Sequence, residues 1–284
     1  MLTEARVPDG AESDRLDKVV AAHFGVSRGR ARALLSAGSV YVGGKRTKSQ
    51  SRSVGAGVKL AVALDGPEVA ARGLAILAEA PPVWVFRDSM LGILNKPPGL
   101  PVQASRQASA GTLEGWLAGE SPYRALHHRL DAAAQGLLAV ALHKNANKGL
   151  AAAFRDRTAK RTYRAELAGE LADDAGDWRH RQHQRGGRRV ALPESSRNGE
   201  LMVSRFRVLK RLPGRTLVEV ELETGRTHQI RLQSEAAGAP IVGDQLYGGG
   251  TGELRLQACA LELDHPIKRK RRRFELPPPA SWGW

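Results

Sequence analysis

One cysteine stands among 284 residues, Cys259, between Ala258 and Ala260. A lone thiol closes no internal disulfide and anchors no thiolate zinc site, and in an apolar run it reads as a small core residue. A disulfide-stapled scaffold is excluded, and a reducing cytoplasm is the expected compartment. No apolar run approaches the roughly 18 residues that span a membrane. Residues 1–10 are polar and partly acidic, unlike a secretion signal. Metal ligands are equally thin. His127, His128 and His228 lack ligand spacing and have no cysteine beside them, so neither a metal nor a cofactor is expected.

Acidic residues are in deficit too. Lys and Arg total 44 against 29 Asp and Glu, a formal charge of +15. Such a field attracts polyanions and speeds association with them. Nucleic acid or a ribosome is the partner this favours over an anionic membrane surface or simple solubility. Apolar residues are plentiful at 42%, enough for a packed core and too many for a disordered chain. The length suits one large domain, or a medium domain with a small one.

Residues 13–65 read as a small separate unit. Leu16, Val19, Val20 and Phe24 recur at helical spacing. Gly25 ends that helix, and Ser27 caps a second one carrying Ala31, Leu34 and Leu35 inward. Arg28, Arg30 and Arg32 are interleaved with that core set, so much of their charge should face solvent. Gly38 ends the second helix. Val40-Tyr41-Val42 then reaches Gly43-Gly44, a pair suited to a hairpin turn, and Val58 to Val62 reads as a closing strand. A helix, an Arg-rich helix and a Gly-Gly hairpin in this order resemble the S4-type RNA-binding domain. The plainer alternative is a helical pair with a solvated basic face.

Residues 66–82, with Pro67, Pro81 and Pro82, read as a linker. From Val83 the pattern turns to short strands: 83–86, 91–94, 137–142, 163–167, 217–222 and 254–263, with a helix over 147–157. The mix predicts an α+β fold, a mostly antiparallel sheet with a few helices, over 83–284.

Two polar segments stand out in this second unit. In His127-His128-Arg129-Leu130-Asp131 the aspartate lies in a loop leading into the buried run at Leu137. Desolvated there, it needs an arginine or hydrogen-bond donors to stay ionised. By itself this reads as a structural Asp–Arg pair. In Gly225-Arg226-Thr227-His228-Gln229-Ile230-Arg231 two arginines, a threonine, a histidine and a glutamine crowd into seven residues, a density suited to holding a carboxylate and a phosphate close together.

Together with Asn95-Lys96-Pro97-Pro98-Gly99, these segments resemble the RluA-type pseudouridine synthases. The family pattern is His-Arg-Leu-Asp followed by Gly-Leu-Leu, here His128 to Asp131 and Gly136 to Leu138. The run Gly225 to Arg231 is intact, and Pro240-Ile241-Val242-Gly243-Asp244 and Leu246-Tyr247-Gly248-Gly249 follow. The resemblance covers about residues 83–276, and many members carry an S4-type domain in front.

The resemblance implies a mostly antiparallel mixed-sheet catalytic domain behind a small α/β RNA-binding module, and isomerisation of uridine in RNA to pseudouridine. It assigns Asp131 as the essential carboxylate, Tyr163 as the ring that stacks on the target uracil, and Arg231 as the partner of Asp131. Arg129 would fill the space left by the flipped base, with Arg226, His228, Arg28, Arg30 and Arg32 as further RNA contacts. Asn95 and Lys96 would shape the neighbouring loop. No cofactor, metal or membrane is implied; the expected partner is RNA, ribosomal rather than transfer RNA, and the expected state a monomer. The chain departs from the pattern at Ala134-Gln135, where a hydroxyl residue is usual, and at Gln233, where a histidine is common. These departures leave room for a non-catalytic RNA-binding or ribosome-assembly protein on the same fold. Two basic stretches remain. Residues 178–189 read as an exposed hairpin that meets RNA, with a simple solvated loop as the alternative. Lys268 to Arg273 reads as a turn between strands, with a nuclear signal or a DNA-binding role as its alternatives.

Overall fold

A computed structural model describes residues 2–36, 38–63, 66–103, 111–185 and 188–283. Strand β1 (Leu2–Arg6) lies ahead of residue 13 and already belongs to the N-terminal unit. It is followed by β2 (Asp14–Arg15), α1 (Leu16–Phe24), α2 (Arg28–Ser36), β3 (Val40–Val42), β4 (Lys45–Thr47), β5 (Ser53–Val54) and β6 (Lys59–Ala63). Four strands form an antiparallel sheet in the order β1-β6-β3-β4, and β2 pairs with β5. The helical spacing has its predicted effect: Leu16, Val19, Val20 and Phe24 are buried and share one core with Ala31, Leu34, Leu35, Val40 and Leu60. Each of these Val, Leu and Phe side chains contributes about 1.5–3 kcal/mol when fully buried. Ser27 Oγ accepts the Arg30 N–H at 3.2 Å and starts α2 as expected. Gly43 and Gly44 form the two-residue turn between β3 and β4.

The segment expected to be a linker carries a helix, α3 (Gly66–Glu79). Its proline is no obstacle, because in the first turn the missing N–H has no helical partner to lose. Ile76 and Leu77 pack against the second unit's core, which explains a helix where the composition suggests a tether.

Beyond it come β7 (Val83–Arg87), β8 (Leu91–Lys96), α4 (Leu113–Glu120), β9 (Ala125–Leu126), β10 (Gln135–Ala141), α5 (Lys144–Arg155) and β11 (Lys160–Ala168). Next are β12 (Ala175–Arg185), β13 (Arg188–Pro193), β14 (Glu200–Leu212), β15 (Arg215–Leu222), α6 (Gln229–Ala236), β16 (Leu256–Asp264) and β17 (Arg271–Glu275). One large sheet runs β13-β12-β14-β15-β11-β16-β10-β8-β7. Its ladders are antiparallel except at the centre, where Gln135 and Gly136 of β10 lie parallel to Gln257 and Ala258 of β16. There the two strands part, β9 pairing with β10 and β17 with β16. Gly136, with φ 116°, makes this approach feasible, since a Cβ would overlap the backbone of Ala258. The basic segment 178–189 is a hairpin, but its arms are strands β12 and β13 built into the sheet; its tip at 186–187 lies outside the described residues. Only the first half of Lys268 to Arg273 lies in the turn expected from the sequence; Arg271 to Arg273 are already strand β17, paired with β16, and Arg272 lies 4.2 Å from the ring centre of Phe86.

Candidate active site

Asp131 sits in the loop between β9 and β10. Its neighbours Leu130 and Ala134 are buried in the main core, and the Ala134 N–H donates to the Asp131 carbonyl at 3.2 Å, so the loop is a turn pinned at both ends. Lys96 braces it from beneath. Its side chain is fully buried, and Nζ donates to the carbonyls of Pro97, Leu100 and Ala132 at 2.8, 2.9 and 3.0 Å. Burial pushes its ammonium down to about 7, with nearby Asp131 pulling it back up. The loop-shaping role expected of Lys96 is thus supplied by three carbonyl bonds.

The polar cluster Gly225 to Arg231 runs into a helix, α6, at Gln229. All of Gln229 to Ser234 is buried in α6. Arg231, 5% exposed, donates from Nε and Nη2 to both oxygens of Asp244 at 2.7 and 2.8 Å, and from Nη1 to Asp131 Oδ2 at 3.4 Å. Asp244 is fully buried and also accepts the N–H groups of Leu246 and Tyr247. It aims the guanidinium, yet its motif carried no such role in the sequence. Tyr247 is a second residue missed there. Its ring lies 5.1 Å from the Arg231 guanidinium and 5.5 Å from that of Arg188, and its hydroxyl is 2.9 Å from His228 Nδ1. His228 Nε2 faces Asp131 Oδ1 at 3.9 Å.

Burial opposes ionisation of Asp131, but His228, Arg231 and Arg129 outweigh it and hold the carboxyl below its ordinary range. Burial pushes His228 itself down to about 4, so at neutral pH the ring is uncharged and the guanidiniums of Arg231 and Arg129 are what keep Asp131 anionic. The Tyr247 hydroxyl, protonated because burial raises its pKa, favours the tautomer that leaves Nε2–H towards Asp131.

Asp131, His228 and Arg231 line a cleft of about 400 Å³ together with Glu4 and His23 of the N-terminal unit and Arg72 of α3. An adjoining pocket of about 80 Å³ brings Asp131, Tyr163, Arg226, His228 and Arg231 together, along with Arg161, which the sequence reading did not single out. Tyr163 is 6% exposed, and burial raises its hydroxyl pKa. Arg129 is exposed and lines both cavities. Arg226 is tied to Glu200 at 3.0 Å.

Arg28, Arg30 and Arg32 line neither cavity. Arg28 and Arg32 do not simply fan into solvent: with Arg15 they converge on Asp17 at 2.9–3.1 Å. The Arg32 guanidinium, helped by the other two, holds the buried Asp17 carboxyl well below the usual range. One carboxylate thus fixes three cations that remain nearly half exposed. The two departures from the family pattern have local partners. Gln135 Nε2 donates to Glu253 at 2.7 Å, a brace from outside the loop. Gln233 is fully buried, accepts from Ser204 Oγ at 2.6 Å and donates to the Trp178 carbonyl at 2.8 Å, which ties α6 to β12 and β14.

A basic chain with a split mixed sheet and a buried arginine–carboxylate pair in a cleft has the form of an RNA-modifying enzyme. Comparison with known proteins gives the family. Residues 91–236 match the RNA pseudouridylate synthase model, and residues 14–60 match the S4 domain. The ribosomal large subunit pseudouridine synthase D of Pseudomonas aeruginosa is 31% identical over 99% of this chain and 93% of its own length. An RNA pseudouridine synthase of Bacillus subtilis is 36% identical over 69% of this chain and 68% of its own. The solved structure of human RNA pseudouridylate synthase domain containing 1 shares the fold, with TM-score 0.59 and 23% identity over 69% of this chain and 83% of that one. The chain belongs to the RNA pseudouridylate synthase family and carries an S4 domain at its N-terminal end. It is an isomerase that converts uridine in RNA to pseudouridine.

Proposed function

We propose that the chain modifies ribosomal RNA of the large subunit rather than transfer RNA, as a monomer in the cytoplasm, with Asp131 as the catalytic carboxylate. The observation that carries this reading is the Asp131–Arg231 contact at 3.4 Å in a cleft closed on one side by the S4 unit. The names of the Pseudomonas aeruginosa and Nitrosomonas europaea relatives, both ribosomal large subunit synthases, support the choice of RNA. No helix among the described residues is long and apolar enough to cross a membrane. Residues 13–65 serve as the RNA-binding unit, with Arg28, Arg30 and Arg32 on its basic side, and residues 83–284 as the catalytic domain. The intervening 66–82 joins them through α3.

In the reaction the target uridine leaves the stack, at a cost of a few kcal/mol, and Arg129 offsets part of that cost by entering the vacated space. Tyr163 stacks on the uracil. As the bond from N1 to the sugar breaks, positive charge grows at the anomeric carbon, and the fixed carboxylate of Asp131 stabilises it. The base turns and bonds through C5; the C5 proton is lost and N1 gains one, so composition is unchanged. Arg231, held by Asp244, keeps Asp131 ionised throughout, while His228 and Arg226 flank the uracil pocket. Pseudouridine mapping across all cellular RNA, with and without the gene, tests the assignment. Loss of one or more sites in large-subunit ribosomal RNA is expected; losses confined to transfer RNA would contradict it.

A further inference from the structure

Arg161 is a half-buried arginine near the site whose charge is unanswered, whereas Arg129 and Arg72, which also lack a carboxylate partner among the described residues, are exposed. Arg231 has Asp244 and Asp131, Arg188 has Glu235, Arg226 has Glu200, and Arg215 and Arg255 share Glu166. Among the described residues no carboxylate pairs with Arg161. Its side chain is half-buried; Nη2 makes one long bond, 3.4 Å, to the Thr224 carbonyl, and Nε is buried with no partner. Of five donors, four are unused or lack a good acceptor. A partly desolvated guanidinium in this state is costly unless an anion arrives to complete it.

The position says what that anion would belong to. Side chains two apart on a strand share a face, so Arg161 and Tyr163 of β11 point the same way, and both line the 80 Å³ pocket with Asp131. Gly225 opens the space. A Cβ built there would lie 2.7 Å from Arg161 Nη1 and 3.0 Å from Nη2. The glycine that opens the Gly225 to Arg231 run therefore seats this guanidinium against bare backbone beside the uracil pocket.

We infer that Arg161 binds a phosphate of the target nucleotide and anchors the flipped uridine while Asp131 acts on its sugar. Uracil is neutral and its carbonyls leave the charge unmet, whereas a phosphate oxygen pair matches the planar fork in charge and geometry. The inference rests on the reading of the Asp131 pocket as the uridine site.

Binding of uridine and of uridine 3′,5′-bisphosphate to the full-length protein, followed by NMR titration, tests it. The wild type is expected to bind the bisphosphate at least about tenfold more tightly than uridine, as charge-assisted hydrogen bonds allow. Arg161→Gln should bring that ratio close to one while leaving uridine affinity in place. Gly225→Ala, which pushes the guanidinium aside without removing it, should do the same, and Arg161→Lys should keep part of the ratio. Uridine 5′-monophosphate and 3′-monophosphate then tell which phosphate is held. An unchanged ratio in Arg161→Gln, or equal loss of uridine and bisphosphate, would overturn the inference, the latter pointing to a base contact or a structural role. If that happens while the wild type still forms pseudouridine, the inference alone falls. Absence of pseudouridine formation on any cellular RNA would bring down the underlying reading as well.

Discussion

At the residue scale the site is a chain of charges that ends at the Asp131 carboxylate. Asp244 spends both carboxylate oxygens on Arg231, whose remaining nitrogen reaches Asp131. Asp244→Asn breaks the symmetric clamp and leaves the buried guanidinium underpaired. Removing one partner of a buried ion pair costs about 3–5 kcal/mol, and a guanidinium displaced by about 1 Å can lower the rate roughly a hundredfold. Denaturant midpoints and single-turnover rates should both show the loss. A second residue-scale outcome concerns His128. Its Nε2 accepts the Ala139 N–H at 2.8 Å, its ring stacks on Phe154, and burial pushes it down to about 3. The unfolded chain takes up that proton near pH 6.5, the folded chain only near 3, so stability falls as pH drops through this interval. The slope from this group approaches about 1.4 kcal/mol per pH unit. Urea midpoints measured from pH 7 to pH 4.5 should fall more steeply for the wild type than for His128→Gln.

At the scale of elements, the sequence exposed some parts and hid others for physical reasons. Helices α1 and α2 were legible because Leu16, Val19, Val20, Phe24, Leu34 and Leu35 follow one period and bury one face. Strands β8, β10 and β16 were legible as apolar runs because both their faces are covered. Helix α3 was not, since one proline sits in its first turn, two more follow its end, and its packing partners lie far along the chain. Helix α6 was hidden for the opposite reason: it buries Gln229, Arg231, Gln233 and Ser234, and buried polar groups carry no amphipathic signal. Asp131, Arg231 and Tyr163 could be picked out only by resemblance, whereas the roles of Asp244, Tyr247 and Arg161 depend on contacts across 13 to 63 positions. Gly136 links a motif to an element. Gly136→Ala places a Cβ against Ala258 at a strained φ, where β10 and β16 meet. Overpacking of this kind costs about 1–3 kcal/mol, and strain at such a φ adds about 1–3 more. The guanidinium midpoint should drop accordingly, with activity lost through the neighbouring Asp131 loop.

At the scale of the whole molecule, an excess of 15 positive charges is spread over two units that meet across the active-site cleft. Lys59 of the S4 unit approaches Glu235 of the catalytic domain at 3.9 Å, and Glu4 of β1 lines the cleft beside Arg231. RNA that reaches both the Asp17-centred arginine cluster and the β12–β13 edge displaces counterions over a long path. With about six phosphate contacts, affinity should fall roughly a thousandfold between 50 and 200 mM salt. Filter-binding titrations at several salt concentrations measure this slope, and a nearly flat line would show that the basic surface does not hold RNA. The central claim concerns Asp131, and it is tested most directly by returning Asp131→Asn to cells that lack the gene and counting pseudouridine at the affected positions. The account predicts no restoration by the variant, full restoration by the wild type, and RNA affinity of the purified variant within a few-fold of normal; restoration of pseudouridine by Asp131→Asn would contradict it.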